Sequence, residues 1–103
     1  SVNTSANGEV GEATIFQYQQ TDEVVMASYT GGDIRYGMLL ARADCFGHLD
    51  ARYQHLNHHG ILMTGTCQTV PEVLPDGRLR LYETWQWTSG DFSRGESVVE
   101  EIL

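Results

Sequence analysis

The feature that most restricts this chain is the regular return of turn-forming residues. Gly, Asn or Asp closes a run of β-branched, aromatic and aliphatic residues after about 8 to 12 positions, the spacing of an all-β meander, and helical periodicity is almost absent. The turns fall at Asn7-Gly8, Thr21-Asp22, Gly31-Gly32, Asp44 to Gly47, Asn57 to Gly60, Pro75 to Gly77 and Ser89 to Phe92. Most supply residues that tolerate positive φ or fold back onto their own backbone. The spacing predicts about eight strands, near 2–5, 12–20, 23–30, 33–43, 48–56, 61–70, 79–88 and 96–102. Pro71 cannot donate to a central ladder, so a bend is expected just beyond Val70.

Short connections make sequence neighbours antiparallel neighbours in space. The resulting up-and-down meander of about eight strands is the size at which a twisted sheet curls into a small calycin-like barrel, closed or partly open. At 103 residues the whole chain, 1–103, is expected to be one such domain.

Alternation assigns the faces. The fourth strand offers Ile34, Tyr36, Met38 and Leu40 to the core, the fifth Leu49, Ala51, Tyr53 and His55, and the sixth Ile61, Met63, Gly65 and Cys67. Closing the Asp44 to Gly47 turn with Ala43 opposite His48 sets Tyr36 against His55. The Gly31-Gly32 turn sets Tyr29 against Ile34, and an odd-length loop around His58 sets Tyr53 against Met63. On the seventh strand Leu79, Leu81, Glu83, Trp85 and Trp87 share the inner face. Trp87 should then fall near Gly65, whose missing side chain leaves room for an indole, and Arg42 at the same end of the sheet as Glu83.

Charge and composition exclude several functions. The formal charge is −8 and all 6 basic residues are scattered arginines, so a nucleic-acid backbone would be repelled and no lysine can act as base or Schiff-base former. The longest apolar runs are far shorter than the roughly 20 residues of a spanning helix, and no signal segment opens the chain. Cys45 and Cys67 form no metal or redox motif, and they are expected to be reduced thiols in a cytoplasmic protein.

Three of the 4 histidines lie in ARYQHLNHHG. A metal site does not follow. His48 and His55 would stand roughly 23 Å apart at about 3.3 Å per strand residue, and His58 and His59 diverge at a hairpin tip. No metal and no cofactor is expected. His55 differs because it points inward, with Tyr36 and Tyr53 nearby. Together with Arg42, Glu83 and Trp85 at the other end, these six residues outline a pocket with apolar walls and a few orienting polar groups.

The stretches YTGG (Tyr29 to Gly32), RYQHLN (Arg52 to Asn57), TGTC (Thr64 to Cys67), WQWTSGD (Trp85 to Asp91) and GESVVEE (Gly95 to Glu101) resemble a family of small bacterial proteins labelled N-acetylglutamate synthases. The resemblance covers most of the chain and implies a bacterial, cytoplasmic origin; the acetyltransferase activity in the family's label is not expected. The residues themselves offer neither the helix nor the glycine-rich loop that holds an acyl-CoA pyrophosphate.

From the residues, the leading expectation is a non-enzymatic barrel binding a small, partly apolar ligand in its interior. The alternatives are a barrel isomerase, cyclase or hydrolase using His55 with Tyr36 or Glu83 with Arg42, and a structural module without a ligand. Val24, Met26, Leu39 and Leu62 are expected on the outer face, where they favour a homodimer.

Overall fold

Eight antiparallel strands make one sheet: β1 (Val2–Asn3), β2 (Ile15–Thr21), β3 (Val24–Gly31), β4 (Ile34–Ala43), β5 (Leu49–Asn57), β6 (Leu62–Val73), β7 (Leu79–Trp87) and β8 (Arg94–Glu100). The computed structural model describes residues 2–3 by their backbone and residues 13–101 in full. Each strand from β2 to β8 pairs with its sequence neighbours, and β1 pairs with β8, giving the order β1-β8-β7-β6-β5-β4-β3-β2. The meander is therefore the predicted one. Among the described residues no ladder joins β2 to β8 or β1, so the sheet curls into a half-barrel with a seam. The expected Asn7-Gly8 turn and the strand ends at Thr4-Ser5, Glu12 and Ile102 lie outside the described residues.

Three hairpins share one loop design, which decides the faces. The N–H groups of Asp44, Asn57 and Leu74 donate to the carbonyls of His48, Ile61 and Arg78 at 3.0, 3.0 and 2.8 Å. The N–H groups of Gly47, Gly60 and Gly77 donate back to the carbonyls of Asp44, Asn57 and Leu74. These glycines have φ of 79°, 76° and 90°, the left-handed residue that completes a three-residue hairpin loop. Asp44 and Asn57 reinforce their loops, each Oδ1 accepting two backbone N–H bonds of 2.9 to 3.0 Å.

This loop pairs Ala43 with Leu49 instead of His48, and β4 turns over relative to the prediction. Leu39 and Ala41 are buried, whereas Tyr36, Met38 and Leu40 are exposed. At the other end of β4 the register shifts between Ile34 and Tyr36, a bulge that leaves both Ile34 and Gly37 facing inward. Tyr29 accordingly pairs with Gly37, not Ile34. The inward set expected for β5 holds for Ala51, Tyr53 and His55; the β5–β6 loop is odd but centred one residue later, so Tyr53 meets Gly65 and His55 meets Met63. Trp87 meets Gly65 and Trp85 meets Cys67, as predicted.

Pro71 does not bend the strand out of register, because β6 stays paired with β7 through Val73. The carbonyl of Thr64 accepts from Thr88 on the β7 side, so alternation turns Pro71 toward β5. The last β5 partner is at Thr69, and no ladder bond is lost there.

Inside, large rings sit over glycines on the adjacent strand. A Cβ at Gly37 would overlap the Tyr29 ring, and one at Gly65 would overlap the Tyr53 ring, so the space at Gly65 is filled by a phenol and not by an indole. The rings form a continuous series: Tyr18 to Phe16 (5.8 Å between centroids), Phe16 to Tyr29 (4.9 Å), Tyr29 to His55 (5.7 Å), His55 to Trp87 (5.5 Å) and Trp87 to Trp85 (5.8 Å). Gly65→Ala is expected to lower the unfolding free energy by about 1 to 3 kcal/mol through overpacking. In a Tyr53→Leu background that penalty should shrink by about 1 kcal/mol or more, as urea unfolding of the four-variant cycle would show.

Candidate functional site

The two ends of the half-barrel differ. One end is sealed by Ile34, His55 and Thr14, each 1% exposed, and by Asn57. The Tyr29 hydroxyl and His55 Nδ1 lie 3.1 Å apart, and the Trp87 ring meets the imidazole edge-on. His55 is thus a packed element of the core whose cross-strand company is Tyr29. Tyr36, expected beside it, lies on the outer face and is 55% exposed because the Asp44 to Gly47 loop turns β4 over.

The other end is open. Here the inner row Leu49, Thr69, Glu83 and Ser97 crosses β5 to β8 in register. Beyond it a cleft of about 630 Å³ runs along the seam and the mouth, walled by Tyr18, Val25, Leu49, Leu79, Leu81 and Val99 among others. Deeper than Glu83 lies a cavity of about 30 Å³ bounded by Phe16, Tyr53, Cys67, Trp85, Trp87 and Ser97. That is room for one or two water-sized groups, so the barrel core is filled and the larger space is at the mouth.

Glu83 lines the smaller space, on the inner row toward the mouth. It is only 8% exposed, and among the described residues it has no hydrogen-bond partner. Burial pushes its carboxyl up from 4.5 to about 7. Arg42, expected to pair with it, is at the same end of the sheet but on the outer face, bound to Glu23 at 3.3 Å; the turned-over β4 puts it there. The catalytic pairs His55–Tyr36 and Glu83–Arg42 are therefore not assembled.

The remaining polar groups set the character of the site. Among the described residues the buried Tyr18 hydroxyl has no hydrogen-bond partner, and burial, followed by the nearby Glu83 charge, holds its proton far above the usual phenol range. Trp85 Nε1 donates to Ser97 Oγ at 2.8 Å. Cys67 is a free thiol that burial pushes up to about 12, which makes it packing and not a nucleophile. Among the described residues no three His, Cys, Asp or Glu side chains gather as a metal site would require.

Of the six residues read from sequence, Tyr53, His55, Glu83 and Trp85 point inward, with His55 at the sealed end and Glu83 at the mouth. The reading missed Phe16, Tyr18 and Ser97. Alternation along Ile15-Phe16-Gln17-Tyr18 does carry a signal for the first two, since only the odd partners are polar or exposed.

Residues 1–102 match the model of the avidin-like protein family. The chain belongs to that family. The match bears out a small-ligand-binding β-barrel and overturns the resemblance to N-acetylglutamate synthases, since an avidin-like half-barrel is a different fold from an acetyltransferase. No match was found among curated proteins or among solved structures.

The Glu83 carboxyl makes a testable contribution to stability. The folded chain keeps this proton up to about 7 and the unfolded chain releases it near 4.5, so in between the folded state binds more protons. Stability should then fall as pH rises from 4.5 and level off above 7, by an amount on the order of 3 kcal/mol. Glu83→Gln should flatten this slope and be the more stable protein at pH 8, by urea unfolding across the range.

Proposed function

We propose that this avidin-like protein binds a small amphiphilic molecule at the open end of its half-barrel. The apolar part lies against Leu79, Leu81, Val99 and Leu49, and the polar end reaches Glu83 and Tyr18. The observation that carries this reading is the buried Tyr18 hydroxyl, without a hydrogen-bond partner among the described residues and lining a cleft of about 630 Å³, with the buried Glu83 carboxyl of the smaller cavity within electrostatic reach of it. Buried polar groups are costly unless satisfied, and a bound ligand satisfies them. Ligand-observed NMR with a fragment library should give binders that are lost in Leu81→Trp, which fills the mouth. Fragments that bind this variant as well as the wild type would place the site elsewhere.

The protein acts as a homodimer in this reading, joined through the outer face of β3 and β4. Val24, Met26, Met38 and Leu40 are all exposed there, with Met26 directly opposite Leu40. Leu39, expected on this face, is buried inside, and Leu62 is exposed on β6, away from the patch. The border carries Glu23 with Arg42 and Asp50 with Arg52, two charges of each sign, so a second copy meets no net repulsion at this face. By contrast the outer face of β6 to β8 holds a ladder of ion pairs, Glu72 to Arg80 (3.5 Å) and Arg80 to Glu100 (2.8 Å), which is satisfied in solvent. Light scattering should report twice the chain mass for the wild type and the chain mass for Leu40→Arg.

A further inference from the structure

The mouth is built for one sign of charge. All six arginines, Arg35, Arg42, Arg52, Arg78, Arg80 and Arg94, lie on the outer surface or in turns, and there is no lysine. Arg42, Arg52, Arg78 and Arg80 are already held by carboxylates. Among the described residues the inner face therefore holds a carboxyl and no arginine or lysine to balance it. The walls around it are aromatic: Trp85 and Trp87 cross at 5.8 Å, Tyr53 meets Trp87 at 5.5 Å, and Phe16 closes the far side. Ring faces carry negative potential, so rings with a carboxylate attract a cation more than either does alone. The deep cavity, about 30 Å³, suits a compact head group; the cleft beyond, about 630 Å³, has leucine, valine and aromatic walls with Gln20, Glu100 and Glu101 among its lining, and suits a chain or ring attached to that head.

We propose that the ligand is an organic cation, an ammonium head on an apolar tail, with the head beside Glu83 and the tail over Leu81, Leu79 and Val99. A neutral alcohol of the same length would bury the same tail but leave the carboxylate uncompensated. A carboxylate ligand would set two like charges together. The Tyr18 hydroxyl, buried at the seam and without a partner among the described residues, donates to the Glu83 carboxylate or accepts from the ammonium, and either role satisfies it. The formal charge of −8 adds a field that draws cations toward the chain from solution.

This inference rests on the mouth being the binding site, and the test separates the two. The full chain is titrated with n-hexylamine, n-hexanol and hexanoate at low salt, with the fluorescence of Trp85 and Trp87 as the readout. At pH 8.5 the amine should bind about tenfold or more tightly than the alcohol, with hexanoate weakest. At pH 5.5, where Glu83 is protonated and the amine still charged, the preference should collapse to within about twofold. The other titratable groups that face the interior or the cleft are placed differently: burial keeps Tyr18, Tyr53 and Cys67 protonated, Glu100 is paired with Arg80, Glu101 accepts from the Leu79 N–H, and His55 lies at the sealed end against Tyr29. Glu83→Gln, checked for its fold by circular dichroism, should show the weak preference at both pH values. Equal binding of amine and alcohol by the wild type at pH 8.5, or an undiminished preference in Glu83→Gln, would overturn the cation assignment while leaving the mouth as the site. Failure of all three ligands to bind would overturn both.

Discussion

The half-barrel depends on two glycines that let two tyrosines lie down. Gly37 is paired with Tyr29 and Gly65 with Tyr53, and in each case the ring occupies the volume that a Cβ would take. On the far side each glycine is paired with another large group, His55 opposite Gly37 and Trp87 opposite Gly65. The sheet thus alternates large and absent side chains across neighbouring strands, which lets a narrow interior hold several rings and still close over them. The ring series from Tyr18 to Trp85 follows from this seating, and it leaves a small cavity beside Glu83.

How much of this was legible in the residues depended on the loops. The strands, their antiparallel order and the inward faces of β5, of β6 from Met63 and of β7 from Leu81 follow from alternation and turn chemistry, whereas Ile61 and Leu79, expected inward, are exposed at the ends. The fourth strand did not follow. Asp44-Cys45-Phe46-Gly47 reads equally as a four-residue loop or as three residues plus a left-handed glycine, and a difference of one residue reverses every side chain on the strand. The sequence Arg35-Tyr36-Gly37-Met38-Leu39-Leu40 is apolar on both faces, so no hydrophobic penalty marks the wrong choice. Tyr36 and Arg42 were misplaced for that reason, and Leu39 with them.

Glu83 was visible as the exception on an apolar strand, but its partner was not, because a side chain's counterpart depends on the register of distant strands. The residues Phe16, Tyr18 and Ser97 join the site from the two sides of the seam, β2 and β8. No turn connects those strands to each other, so no local rule brings them together. The apolar outer face and the carboxyl at the mouth are likewise consequences of curvature: among the described residues, the sheet that turns its arginines outward leaves the Glu83 carboxyl within and no arginine beside it.

The pairing order also has a kinetic meaning. Every ladder from β2 to β8 joins strands adjacent in the chain, and three of the connecting loops are the same compact, internally hydrogen-bonded unit. Such hairpins close with little loss of loop entropy and can form independently of one another. The pairing of β1 with β8 is different in kind, since Val2 must find Val98 across nearly the whole chain. Assembly is therefore a zipper of local steps with a single distant one, and the distant step sets down the strand that lies at the edge of the sheet where the seam begins.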